Sequence, residues 1–173
     1  MNKKIMYIVT ILSTALLLFL DQIAKYLAVL HLKGQAAIPI IKNVFELQYL
    51  ENQGAAFGIM QGKKTFFVIG TLIFLVIVVI LYHNIPLTKR FTPIRIVAVL
   101  IVAGAIGNMI DRAVHQYVID FFYFKLINFP IFNVADIYVV VACILFILLM
   151  LFYYKEEELG QIFPFMKSKK AEE

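Results

Sequence analysis

The sequence predicts an all-α membrane protein, a bundle of four transmembrane helices with a small extracytoplasmic β-sheet and a short interfacial helix. Three observations lead there. The 173 residues are 62% hydrophobic with a mean hydropathy of +0.89, far above the roughly 45–50% apolar content of soluble domains. Residues 5–20, 65–82, 96–110 and 137–154 contain no Asp, Glu, Lys or Arg, and about 20 mostly apolar residues make a helix that crosses about 30 Å of hydrocarbon. Between the first two of these stretches the hydrophobic period changes from helical to alternating.

The first span, residues 5–28, begins with Lys3 and Lys4, as a secretory signal peptide does. Its apolar run ends at Asp21 without a small-residue cleavage site and three more spans follow, so it reads as an uncleaved helix. By the positive-inside rule the two lysines place the N-terminus in the cytoplasm. Residues 34–63 form an outer segment. In VFELQYL, residues 44–50, Phe45, Leu47 and Tyr49 share one face and Glu46 and Gln48 the other, the pattern of a half-buried strand, and residues 38–41 with Pro39 can supply an edge partner. The following GAAFGIM piece has the composition of a short helix dipping into the headgroup layer; Asn52 before it either caps that helix or serves a site.

The second span, residues 65–83, carries no charge and is assigned scaffold work. Lys89, Arg90 and Arg95 follow it, on the cytoplasmic side. The third span covers residues 94–114, an outer loop residues 115–132, and the fourth span residues 134–154. The tail, residues 155–173, with three consecutive glutamates and KSKK, reads as solvated, cytoplasmic and loosely ordered. No internal repeat is visible.

Composition narrows the function classes. The net charge of +5 is scattered over loops and tails, so membrane lipids, not nucleic acid, are the expected partner. Cys143, the single cysteine, lies within the fourth span and reads as packing. His31, His83 and His115 fall at three different segment ends, so no metal and no cofactor is expected.

The polar residues concentrate where they are costly. With the N-terminus inside, Asp21, Asp111, Asp120 and Asp136 all gather at the outer membrane face. Polar groups at hydrocarbon depth point to function. Asp21 and Lys25 are spaced i,i+4 and can pair; a snorkelling lysine beside a solvated carboxylate is the alternative. Gly104, Asn108 and Arg112 form one stripe on the third helix. Gly104 lets a neighbour approach, while Asp111 points roughly 100° away from Arg112 and reads as structural. Asn133 and Asp136, three apart at the start of the fourth helix, fit ordinary helix-cap chemistry as well as a site. If Asp120 and Asp136 meet, they share a proton and can activate water against a peptide carbonyl. A small transporter or proton channel using the same aspartates is the other class, and uncharged spans argue against it.

The motifs DQIAK (21–25), NQGAAFG (52–58), AGAIGNMIDR (103–112), VIDF (118–121) and FNVAD (132–136) together resemble lipoprotein signal peptidase, also called signal peptidase II. The resemblance implies a four-helix aspartyl protease of the bacterial cell membrane, both termini cytoplasmic, that cleaves diacylglyceryl-modified prolipoproteins on the N-terminal side of the lipobox cysteine; a monomer is expected. By motif position Asp120 and Asp136 match its catalytic dyad. Asn52, Gly54, Gly104, Asn108, Arg112, Asn133 and Ala135 match substrate-binding or supporting positions, and Asp21 with Lys25 a supporting polar pair. Ala103 stands where the family often has the first of two glycines.

Overall fold

The computed structural model describes residues 2–54 and 64–163, with the side chain of Lys64 excepted. Among these residues four helical segments are long and apolar enough to cross a membrane. Helix α1 (Lys3–Leu32) is capped by Asn2 and, at about 1.5 Å per residue, runs about 45 Å. That exceeds the hydrocarbon thickness, so its last turns are free to pack beneath the β-sheet. Its Ala28 and Leu32 form a small core with Ile119 and Phe121, against which Leu47 and Tyr49 pack.

Strands β1 (Ile38–Ile41), β2 (Phe45–Asn52) and β3 (Val118–Tyr123) make a three-stranded antiparallel sheet in the order β1-β2-β3. The edge strand carries Pro39, where a missing N–H is tolerated. Strand β3 corrects the reading of residues 115–132 as a plain loop. Its residues 118–121 are all buried, so it shows no alternation from which a half-buried strand could be read. The pairing of Leu50 with Asp120 and of Asn52 with Val118 puts Asp120 on a strand, on the same sheet face as Leu50 and Asn52.

Helices α2 (Lys64–Asn84) and α3 (Thr92–His115) are joined by a turn containing a short 3₁₀ segment, Lys89–Phe91. There buried Arg95 donates to the carbonyls of Thr88 and Pro86. Helix α4 (Val134–Leu148) starts from the side-chain cap of Asn133 and ends in a π-turn, Leu149–Tyr153. Helix α3 is central, packing against α1, α2 and α4. Large apolar side chains stand exposed along the helices, among them Ile11, Leu12, Val79 and Leu151, as expected of surfaces that face lipid.

Helix α5 (Glu156–Ile162) corrects the expectation of a loose tail from residue 155. The glutamates occupy its first turn, where negative charge meets the positive end of the helix dipole. Leu159, Ile162 and Phe163 enter the core at the other end of the bundle with Phe91, Tyr154 and Met6. Arg90 pairs with Glu158 at 2.8 Å and ties α5 to the α2–α3 turn. Cys143 is exposed rather than packed inside. Apart from Gly54, the GAAFGIM element lies outside the described residues.

Helices α3 and α4 touch backbone to backbone at Gly104. A Cβ there would lie 2.5 Å from the Ala135 carbonyl oxygen and 2.7 Å from Val139. Ala103, beside it, is fully buried. Because α4's backbone cannot give way like a flexible side chain, Gly104→Leu is expected to separate the helices at a cost of about 1–3 kcal/mol. Thermal unfolding in detergent checks this; an unchanged midpoint contradicts the close contact.

Candidate active site

Lys25 begins the site. It lies on α1 with 1% of its surface exposed, and an ammonium withdrawn from water needs a partner for each proton. Three acceptors are present: Asp21 Oδ2 at 3.0 Å, Asp111 Oδ2 at 2.9 Å and Asn108 Oδ1 at 3.0 Å. The i,i+4 pair expected from the sequence therefore forms, and it is buried, which excludes the snorkelling alternative. Asp111, expected to be structural, is the second counter-charge and also accepts the Ile119 N–H at 3.2 Å.

Asp21 does more than neutralise. Its Oδ1 accepts the Ala135 N–H at 2.9 Å, satisfying one of the N–H groups that the first turn of a helix leaves without an intrahelical partner. The first helix thus caps the fourth. Two residues that the sequence reading passed over complete this knot. Gln22 donates to Asp21 at 3.1 Å and Asp111 at 3.2 Å. Gly107 lets Asp21 in, since a Cβ would lie 2.5 Å from Asp21 Oδ2. Both were available as signals: Gln22 stands next to Asp21, and Gly107 lies one turn before Asp111 on the Gly104 helix.

Asn108 passes the order on. With its Oδ1 accepting from Lys25 and, at 3.2 Å, from Asn133 Nδ2, its Nδ2 donates to Asp136 Oδ1 at 2.8 Å. Asn133 is the helix cap that one reading of FNVAD expected, and its side chain also reaches Asp120. Its Oδ1 accepts the Asp136 N–H at 3.1 Å and its own N–H donates to Asp136 Oδ2 at 3.0 Å, a reciprocal capping box. Its Nδ2 also donates to Asp120 Oδ1 at 2.6 Å. One asparagine therefore links the carboxylates of Asp120 and Asp136.

Asn52 closes the other side. Its Nδ2 donates to Asp120 Oδ2 at 2.9 Å while its Oδ1 accepts the Gly54 N–H at 3.0 Å, so it turns the chain locally and holds Asp120 as well. Arg112 does not bond either carboxylate. It donates to the Gly54 carbonyl at 3.1 Å and lies over the Phe67 ring, 4.8 Å from its centroid, which ties α3 to residue 54 and to α2.

Asp120, Asp136, Asn52, Asn108 and Arg112 open on one cavity of about 590 Å³. The rest of its wall is apolar, from Val118 and the Phe129–Phe132 run to Ile137 and Val139–Val141. Asp120 is almost fully buried. Burial, reinforced by the Asp136 carboxylate, pushes its carboxyl up to about 7, against the pull of the Asn52 and Asn133 donors and of the Lys25 charge. Asp120 thus holds its proton well above the ordinary range of an aspartate. A proton-holding carboxyl linked through one asparagine, by its side chain and its backbone N–H, to a second carboxylate can handle protons in both directions.

Fold and site together define a multi-pass membrane protein with a buried carboxylate pair at the sheet end of a helix bundle. Comparison with known proteins is specific. The family model described as signal peptidase (SPase) II matches residues 13–152. Lipoprotein signal peptidase of Caldanaerobacter subterraneus is 43% identical over 136 residues, covering 78% of this chain and 90% of the relative. That of Clostridioides difficile is 43% identical over 136 residues, covering 78% and 88%. A solved bacterial membrane enzyme, determined by the in meso method at 1.9 Å, superposes with a TM-score of 0.72 at 31% identity, over 84% of this chain and 94% of that one. The chain belongs to the signal peptidase II family, a family of membrane proteases.

Lys25→Met leaves Asp21 and Asp111 buried without their shared cation. Breaking a buried pair in this way costs about 3–5 kcal/mol, so the variant is expected to unfold at markedly lower temperature than the parent. A midpoint within a degree or two of the parent contradicts the role of the ammonium as the organising charge.

Proposed function

We propose that this protein removes the signal peptide from diacylglyceryl-modified prolipoproteins, hydrolysing the peptide bond on the N-terminal side of the lipidated cysteine with Asp120 and Asp136 as an aspartic dyad. The observation that carries the reading is the pair of amides, Asn133 and Asn108, that ties both carboxylates into one apolar-walled cavity. The family's named activity supplies the substrate class.

Asp120, which holds its proton to about pH 7, donates to the scissile carbonyl oxygen. Asp136 accepts an N–H on each oxygen and sits at the positive end of α4; it takes the proton from the attacking water. The water oxygen bonds to the carbonyl carbon, the C–N bond breaks, and the cysteine nitrogen leaves with a proton from the dyad. The apolar wall suits a signal peptide and acyl chains arriving sideways from the bilayer. The lysines at 3 and 4 orient both termini to the cytoplasm, which puts the sheet and the cavity at the outer face, where such substrates have their modified cysteine. An ion-conducting role finds no support in a cavity set at one end of the bundle, nor in the family.

Asp120→Asn and Asp136→Asn are each expected to lower turnover of a purified diacylglyceryl prolipoprotein by about 10²–10⁴-fold, the scale of general acid–base catalysis, with lipopeptide binding kept. Near-normal cleavage by either variant overturns the dyad. Because the reaction needs the Asp120 proton, turnover is expected to fall as pH rises through about 7. Asn52→Leu removes a donor that favours the ionised form and is expected to move that fall to higher pH. A pH–rate profile that is flat from pH 6 to 9 in the parent contradicts the assignment.

A further inference from the structure

At the end of the bundle away from the sheet, α1 and α2 stand apart over α3 and leave a groove of about 520 Å³ between them. Ile11 and Leu18 of α1, Val78 and Val79 of α2, and Val99 and Val102 of α3 line it. Ile11 and Val79 are exposed as well, so the groove opens sideways onto the lipid-facing surface. Four polar side chains meet at its end nearest the start of α1. There the Tyr7 hydroxyl and His83 Nδ1 hydrogen-bond at 3.0 Å, and the Thr10 and Tyr82 hydroxyls bond to each other. Both bonds join α1 to α2. The groove shares no residue with the cavity that holds Asp120 and Asp136.

Its dimensions limit what can fill it. From Tyr7 to Leu18 helix α1 advances about 16 Å at about 1.5 Å per residue, roughly half of the ~30 Å hydrocarbon thickness and so the reach of one leaflet. Spread over that length, the volume gives a cross-section of about 30 Å², whereas a helix about 10 Å across needs about 80 Å². A polypeptide at this depth has to be helical to satisfy its backbone, so a slender apolar chain fits the groove and a protein segment does not. Two lysines stand at the polar end. By helical spacing Lys3 lies on the face of Tyr7, Thr10 and Thr14, and Lys4 on that of Ile11, Ala15 and Leu18. Both are exposed, and among the described residues neither is in an ion pair.

We propose that this groove binds one phospholipid with an anionic headgroup, an acyl chain lying between α1 and α2 and the phosphate held at Lys3 and Lys4. Basic residues at a membrane surface attract anionic headgroups, and these two ammonium groups have no carboxylate among the described residues to answer them. The lipid also supplies what α2 lacks. That helix has no charge from residue 65 to residue 82 and meets α1 through the two bonds at the polar end of the groove. An acyl chain above those bonds fills the space that no side chain fills. Because it binds the folded protein and not the unfolded chain, the lipid raises stability as its concentration rises.

The test adds phosphatidylglycerol or phosphatidylcholine with identical acyl chains to the delipidated full-length protein in detergent. Native mass spectrometry reads the bound lipid. The expected affinity for phosphatidylglycerol is about 10–30-fold higher, what one to two lysines at the surface contribute. Lys3→Gln combined with Lys4→Gln is expected to remove this preference and to leave the weaker phosphatidylcholine binding in place. Ala15→Phe, at an exposed position inside the groove, is expected to lower the binding of both lipids at least tenfold, and Val79→Phe, entering from α2, to do the same. Equal affinity of the parent for the two lipids, or a preference that survives in the lysine variant, overturns the anionic headgroup. Undiminished binding by either phenylalanine variant overturns the groove as the seat of the chain. A dimer of the parent that Ala15→Phe dissolves assigns the groove to a second copy and overturns the lipid.

Discussion

One ammonium group holds the sheet end of this helix bundle together. Lys25 places a full charge among membrane helices, where an uncompensated charge is prohibitive, and each of its three acceptors comes from a fixed place: Asp21 on its own helix, Asp111 and Asn108 on α3. Through Asp21 the same knot reaches the first turn of α4. Three helices are thereby fixed at one depth by directional bonds, which lipid-facing apolar contacts alone would not do. Gly107 and Gly104 are the complement, since both positions leave no room for a side chain between the helices. Helix α2, uncharged from residue 65 to residue 82, packs against α3 without joining the knot.

The two carboxylates inherit this order through side-chain amides. An asparagine amide can be turned either way round, and Lys25 removes the choice at Asn108 by claiming its oxygen. The nitrogen is then committed to Asp136. Asn133 is committed in the same manner, its oxygen to the α4 cap and its nitrogen to Asp120. Asp120 approaches from a strand, not a helix, and that strand is anchored over the end of α1 by Ile119 and Phe121. The opposite end of the bundle has its own apolar core, with Ile162 and Phe163 filling it. The two halves thus differ in kind, one closed by packing and one by polar bonds around an open cavity.

Much of this was legible in the sequence. Four uncharged apolar stretches announced the bundle, Pro39 marked an edge strand, and the i,i+4 spacing of Asp21 and Lys25 announced a pair. The polar residues were legible because hydrocarbon makes every buried carboxylate and amide expensive. What was hidden follows from the same physics. Strand β3 is buried on both faces and so shows no period. Helix α5 hid behind its glutamates, which serve its dipole while Leu159 and Ile162 go inward. Which end of the Asn108 amide met which partner depended on a flip that no linear spacing encodes. Asn133 and Asn52 each bond a backbone N–H with the amide oxygen and Asp120 with the amide nitrogen, because an amide has two ends, and no linear spacing announces that second bond.

The central claim is that the amide-linked pair of Asp120 and Asp136 retains a proton at neutral pH. Infrared titration of the carboxyl stretch, in the parent and in Asp120→Asn, measures this directly. A protonated carboxyl band that persists to about pH 7 in the parent, and is lost in the variant, is the predicted result. A parent protein with no protonated carboxyl above about pH 5, the range of ordinary aspartates, would contradict it.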